Sequence, residues 1–362
     1  MLVPLAQQCP PPKRLLRWSS LKQRRYGVQL TEEILTNLSS SQDTSVREYA
    51  HLFSFEEAVK PASPRVRRTS ACKATPGTPS WPAKIVWNVF NLLLGGALSP
   101  VIPAASPCYP DSVYNNYDAA KCAEVNSEWP TEEFHYEDRG SMMFPLYEGK
   151  TCMPKDPTAP GTCTQGGYAS YSVKISNVAQ IQLAVNFARL ANVRFVVKNT
   201  GHDYNGRSTG KGALSLWTHN LKDIKFVDNY DSDDYQGPAF KLGAGVQMFE
   251  VYQAAEEHGV SVVGGICPTV GIAGGYVTGG GHSPLMQLSG MGTDQVVALE
   301  VVTASGPFVT ATPGVNSDLY WALLGGGGGT FGIVTSVVIK APPQGTRYHL
   351  HLELWCVRPR EQ

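Results

Sequence analysis

Hydrophobic and polar positions follow two periods along this chain, and the middle of the sequence shows both. Val178, Ile181, Ala184, Val185 and Ala188 recur at helical spacing behind Asn177, a capping residue with Gln180 at the capping-box position. β-Branched or alternating runs at Tyr171–Ser176, Arg194–Lys198, Ala213–Trp217, Ile224–Val227, Ala239–Leu242 and Val260–Val263 predict strands. Gln247–His258 predicts a helix. Val296–Thr303 and Pro307–Ala311 predict a hairpin turning at Ala304–Gly306. A short helix at Asp318–Leu324, a glycine turn at Gly325–Gly329 and a strand at Ile333–Ile339 follow. The mixture of strands and helices argues for an α+β or α/β unit of roughly 175 residues.

The first half is less regular. The apolar run Ile85–Leu98 is too short and too glycine-broken to cross a bilayer. It reads as a packed helix with Trp87, Phe90, Leu93 and Leu94 near one face. Tyr117–Val125 predicts a short helix ending before Trp129-Pro130. From Met1 to about Ser70 the chain is basic, with Pro and Ser clusters and little periodicity. That stretch is expected to be disordered or loosely attached, with one short helix at Thr31–Leu38. The expected organisation is an atypical N-terminal segment (1–70), a cysteine-containing subdomain (71–165), a main domain (166–342) and an atypical tail (343–362). In the tail Leu350, Leu352 and Leu354 alternate as in a strand but have no clear place in the main domain.

Composition narrows the class. With 362 residues, 42% of them hydrophobic, the chain can bury a sizeable core. A formal net charge of zero argues against nucleic acid as the main partner. Eight cysteines are many for a reducing compartment. Cys108 with Cys122, and Cys152 with Cys163, could each close a small disulfide loop, but buried free thiols are the other reading and sequence does not fix the pairing. Cysteine usage leans towards a secreted or lumenal protein. Met1–Leu30, with basic residues scattered through it, lacks the secretory pattern. No membrane partner and no metal are expected.

Two glycine-rich stretches carry the chemistry. Gly264–Pro284, GGICPTVGIAGGYVTGGGHSP, is short of charge and holds Cys267, which no disulfide reading needs. Closely spaced glycines let main-chain N–H groups line a concavity that holds a phosphate or another anion. A flexible linker is the competing reading, but linkers favour serine and polar filler over the Val, Ile and Tyr found here. The second stretch, Lys198–Gly210, KNTGHDYNGRSTG, follows a strand and places His202 where the turn is tightest. Neither stretch is a Walker phosphate loop, since no Gly-Lys-Ser/Thr follows the glycines. Neither fits the dinucleotide fingerprint, which opens a helix and has an acid about twenty residues on.

NTGHDYNGRSTG, then GGICPTVGIAGGYVTGGGHSPL, then DQVVALEVVTASG, then DLYWALLGGGGGTFGIVTSVVIKA together resemble the FAD-binding domain of the vanillyl-alcohol oxidase superfamily. The resemblance is greatest to its fungal berberine-bridge-enzyme-like branch and runs from about Cys72 to Ala341. It implies an α+β, two-subdomain PCMH-type fold with mixed sheets and flanking helices. It also implies covalent FAD, held through His202 and Cys267. Asn199, Thr200, Gly201 and Asp203, with Ser208 nearby, match the pyrophosphate-binding loop. Thr269, Gly271, Gly274, Gly275, Gly279 and His282 match a second cofactor-contacting loop. Val334 matches a position lining the cofactor, and Val270 matches a gate where a small residue goes with dioxygen access.

The implied activity is oxidation of an alcohol or carbohydrate-like substrate, with electrons passed to dioxygen. Family members continue into a domain that holds the substrate and supplies the catalytic base. This chain is expected to lack it, so the catalytic residues are unknown. Tyr204 and His282 are the stand-in acid/base candidates. The alternative is a non-catalytic flavin-binding fragment. Cys72 is expected to lack a partner.

Overall fold

The computed structural model describes residues 28–55 and 72–344. The first described segment carries α1 (Glu32–Ser39), α2 (Thr44–Tyr49) and a 3-10 turn at Ala50–Phe53. Thr31 caps α1 by accepting from Ile34 N, and Asp43 caps α2 from Ser45 N and Val46 N. Next come α3 (Lys84–Leu93), β1 (Leu98–Pro100), α4 (Ala119–Glu128) and α5 (Glu132–Glu137). The main domain runs β2 (Tyr171–Lys174), α6 (Val178–Leu190), β3 (Phe195–Lys198), β4 (Leu214–Trp217), β5 (Ile224–Ser232), β6 (Tyr235–Gly243) and α7 (Met248–Glu257). It ends with α8 (Met286–Ser289), β7 (Val296–Val302), β8 (Phe308–Ala311), α9 (Ser317–Leu323) and β9 (Ile333–Lys340).

The strands form two sheets. One has the order β1-β2-β4-β3, with β2, β4 and β3 parallel and β1 antiparallel at the edge. The other is antiparallel throughout, in the order β5-β6-β9-β7-β8. The expected hairpin is present: β7 pairs β8 from Leu299–Ala311 to Val302–Phe308. This is the α+β architecture with mixed sheets and flanking helices. One apolar core connects both sheets, joining Val173, Leu214 and Leu216 to Leu242, Leu299 and Val337.

Helix α6 is buried on every side from Val178 to Ala188, polar residues included. A one-sided stripe would leave Gln182 and Asn186 in water. Instead they bind the N-terminal segment. Gln182 Oε1 accepts from Leu30 N at 2.8 Å, and Asn186 Nδ2 donates to the Phe53 carbonyl at 2.9 Å. Arg189 donates to the Ser54 carbonyl at 2.8 Å. Phe53 and Phe90 then stack on Phe187, with centroids 6.0 and 4.2 Å away. The expectation that residues 1–70 are largely disordered or loosely attached is therefore corrected for 28–55. The segment covers α6, and its apolar positions, Leu30, Leu35, Leu38, Val46 and Phe53, are core residues. Residues 1–27, 56–71 and 345–362, with the tail's alternating leucines, lie outside the described residues.

Three local expectations shift. The apolar run after Ile85 stops being helical at Leu93, because Gly95 and Gly96 take positive φ and turn the chain into β1. Val260–Val263 is not a strand: Val260 makes only an isolated bridge to Pro343, and the segment meets no sheet edge. Asn177 accepts from Gln180 N as expected, but Gln180 reaches back to Ser176 N, one residue before the cap. The cysteines pair as Cys108–Cys122 and Cys152–Cys163 and gather with Tyr109 and Val125 in a small core of their own. Loops of this size are stabilised by about 2–4 kcal/mol each. Cys72 is exposed and has no disulfide partner among the described residues.

Candidate functional site

A cavity of about 1030 Å³ opens between the loop after β3 and the glycine-rich stretch that precedes β7. Asn199, Thr200, Gly201, His202, Asp203 and Ser208 line it from the first loop. Cys267, Val270, Gly271, Gly274, Gly275, Gly279 and His282 line it from the second, and Val334 from β9. Thr269 does not form part of the wall; its hydroxyl is engaged with two side chains that do.

His202 and Cys267, 65 positions apart in sequence, meet at this wall. The ligating atoms of Glu132, His202 and Cys267 all lie within 4.8 Å of one another. Thr269 Oγ1 is 2.7 Å from His202 Nε2 and donates a short hydrogen bond to Glu132 Oε2. Cys267 Sγ lies 3.6 and 3.8 Å from the two Glu132 oxygens and 3.7 Å from Thr269 Oγ1. A hydroxyl has one proton, and here the carboxylate takes it. Thr269 Oγ1 can then only accept from His202, which puts the imidazole proton on Nε2 and the lone pair on Nδ1. Burial holds the His202 pKa below the usual histidine range; Glu132 opposes the shift, and Lys198 and His135 add to it.

Each partner is placed by a separate element. Residues 268–270 are held by the first turn of α7: Phe249 N donates to the Pro268 carbonyl, Met248 N to Val270, and Gln247 Nε2 to Thr269. Glu132 opens α5, which is fastened from below. Lys198, fully buried at the end of β3, donates to the His135 carbonyl at 3.1 Å and the Asp138 carbonyl at 2.7 Å. His135 itself spans Trp129 O and Ser141 Oγ. Desolvation lowers the Lys198 pKa to about 8, against the pull of Asp138 and Glu148. Glu148, buried nearby, makes no well-formed side-chain hydrogen bond. Desolvation raises its pKa to about 8, moderated by the Tyr168 hydroxyl and Met142 N–H.

Asn199 ties the loop after β3 to the residues that follow β4 and β6. Its Nδ2 donates to Thr218 Oγ1 at 3.1 Å and to the Ala244 carbonyl at 2.6 Å. A Cβ placed on Gly274 would come 2.6 Å from Asn199 Cγ, so this crossing requires glycine. The Asp203 carboxylate faces its own loop, accepting from Asn205 N, Arg207 N and Ser208 N. It shapes the turn and leaves ligand contact to the main chain. Tyr204 is 70% exposed and packs against Phe144, while His282 is exposed with its carbonyl bound by Tyr276. Both line the cavity, and neither touches the His202–Cys267 group through any hydrogen bond among the described residues.

Residues 169–312 match the FAD binding domain family. VAO-type flavoprotein oxidase VAO615 of Thermothelomyces thermophilus is 48% identical over 277 residues, 76% of this chain and 48% of that protein. FAD-linked oxidoreductase ZEB1 of Gibberella zeae is 46% identical over 272 residues, 75% of this chain and 47% of that protein. The crystal structure of the VAO-type flavoprotein MtVAO615 from Myceliophthora thermophila superposes with a TM-score of 0.72 at 48% identity, over 75% of this chain and 50% of that one. The chain belongs to the VAO-type flavoproteins. It spans about half the length of the curated relatives it matches.

The cavity of this VAO-type chain suits a flavin dinucleotide on two counts. The walls at Gly275 and Gly279 are bare: a Cβ on either would meet no atom within 4 Å, so a ligand can lie directly on the backbone. At the same cavity, His202 and Cys267 bring a ring nitrogen and a sulfur within 4.8 Å of each other. Sequence reading missed three contributors. Glu132 carried no reading in the sequence, and its approach to Cys267 is a long-range contact. Lys198 ended a predicted strand with no sign that its amine is buried. Arg207 sits against the glycine turn, where a Cβ on Gly327 would meet its guanidinium.

Proposed function

We propose that this chain is the flavin-holding part of a bicovalent FAD-dependent oxidase acting on an alcohol or carbohydrate-like substrate, with dioxygen as electron acceptor. The observation that carries the reading is the convergence of His202 and Cys267 at one wall of the cavity. FAD, when bound, accepts a hydride from substrate and passes two electrons to dioxygen. Asn199, Thr200 and Gly201, with the bare backbone at Gly275 and Gly279, would bind the dinucleotide. His202 offers Nδ1, and Cys267 its sulfur, as the two attachment points. Val270 leaves a small side chain at the wall, which suits dioxygen access. The two disulfides suit an oxidising, extracellular location.

The test is acid precipitation of the purified protein. The pellet should stay yellow in the wild type and in His202→Ala or Cys267→Ala, each of which keeps one bond, and turn colourless in the double variant. A colourless wild-type pellet would remove covalent attachment. Peroxide release on a panel of alcohols and sugars tests the oxidase reading separately.

A further inference from the structure

Glu132 has no place in the flavin-binding loops, yet its carboxylate is the one group that touches both the Cys267 sulfur and the Thr269 hydroxyl. We propose that Glu132 is the general base for the protein's own attachment to flavin, taking the Cys267 thiol proton directly and fixing His202 through Thr269. The proposal rests on the bicovalent reading above.

The geometry favours proton transfer during bond formation over a standing thiolate. A thiolate 3.6 Å from a carboxylate is repelled by like charge. A thiol in the same place donates to it, and passes its proton across as sulfur bonds to carbon. Thr269 serves the second nucleophile. By donating its hydrogen bond to Glu132 it keeps the His202 proton on Nε2 and frees Nδ1 to attack. Besides Glu132, the charged or titratable groups acting on His202 are Lys198 from β3 and His135 from α5, and Tyr136 of α5 faces Glu132. Lys198 and His135 both disfavour positive charge on His202, so the imidazole is held in its neutral, nucleophilic form.

Each attachment balances. One flavin C–H bond breaks and one C–S or C–N bond forms. The carbon-bound proton and the proton from sulfur or imidazole are released with two electrons left on the flavin. Dioxygen takes up both electrons and both protons as hydrogen peroxide, which restores the oxidised ring.

The test uses purified wild type, Glu132→Gln, Glu132→Asp and the neighbouring control Glu133→Gln, incubated with FAD in air. Protease digestion and mass spectrometry then count peptides in which flavin joins the Cys267 and His202 segments. Wild type and Glu133→Gln should give the joined species at pH 7. Glu132→Gln should carry flavin on His202 alone and form the sulfur bond about 100-fold more slowly at pH 7, the scale of losing a general base. The bond should form again as pH is raised to 9, where hydroxide takes the place of the missing carboxylate as base. Glu132→Asp should recover part of the rate. A purely structural role for Glu132 would not give rescue by alkali. Wild-type rates in Glu132→Gln at pH 7, or a slow rate that alkali does not restore, overturn the proposal alone. A wild type without a sulfur bond overturns it together with the bicovalent reading.

Discussion

Two regions on either side of the loop after β3 treat polarity in opposite ways. Beneath it, Lys198, Glu148, Tyr168 and His135 are buried, ionisable side chains packed into the protein. Above it, the glycine-rich wall is bare at Gly275 and Gly279, which face open space. The floor spends stability on desolvated polar groups, and in return Lys198 fixes α5, and so Glu132, relative to His202. The wall keeps its polar groups on the backbone, where they leave room for a flat ligand. The floor fixes α5 against β3, and the wall leaves open space beside them.

The largest expected effect comes from titrating the floor. Glu148 has its pKa raised to about 8 by burial, so between pH 4.5 and 8 the folded state binds the proton more tightly than the unfolded one. Its contribution to stability is fully present below pH 4.5 and is lost as pH rises through about 8. Lys198, lowered to about 8, acts in the opposite sense. Its contribution is present above pH 10.5 and is lost as pH falls through about 8. The pair therefore gives a stability minimum near pH 8. Denaturant unfolding of wild type should lose a few kcal/mol between pH 5 and 8. Glu148→Gln should flatten that limb while leaving the rise above pH 8. An unchanged slope in the variant would mean the carboxyl is ionised at neutral pH.

The junction of the two regions is next. Gly274→Ala drives a methyl into Asn199, which cannot yield without breaking its bonds to Thr218 and Ala244. A cost of about 1–3 kcal/mol is expected from overpacking. Because Gly274 of the second loop packs directly on this residue of the first, flavin content per protein should fall several-fold as well. Thermal unfolding and the ratio of flavin to protein absorbance measure the two effects, and wild-type values for both would show that Asn199 is not a fixed clasp.

These regions also differ in how much the chain told in advance. The two glycine-rich stretches, one with Cys267 and the other with His202, stand out locally, and they lie together along the cavity. The strands and helices of the main domain were legible too, because their periodicity is local. What stayed hidden depends on long-range contacts. Gln182 and Asn186 interrupt the apolar spacing of α6, and residues 28–55 supply partners for both. Leu30, Leu35 and Leu38 sit in a polar, basic context that masked a buried face. Glu132 lies 135 positions from Cys267, and nothing local marks that meeting. Val260–Val263 has strand composition, yet composition cannot say whether a sheet edge is available.

The smallest effect on stability, and the sharpest separation of wall from floor, is expected at Gly275→Ala. Its φ is outside the positive range and a Cβ there meets nothing, so alanine fits the flavin-free fold without strain. Alanine also loses less backbone freedom than glycine on folding, which favours the variant by roughly 0.5–1 kcal/mol. Thermal unfolding of the flavin-free protein should therefore be unchanged or slightly raised. The methyl instead occupies cavity space above the backbone, and flavin should be retained at a lower ratio than in wild type. Gly274→Ala and Gly275→Ala are adjacent and chemically identical changes, so opposite effects on the flavin-free fold would locate the boundary between clasp and cradle to one residue. Full flavin retention in Gly275→Ala would instead mean that the dinucleotide does not lie on this part of the wall.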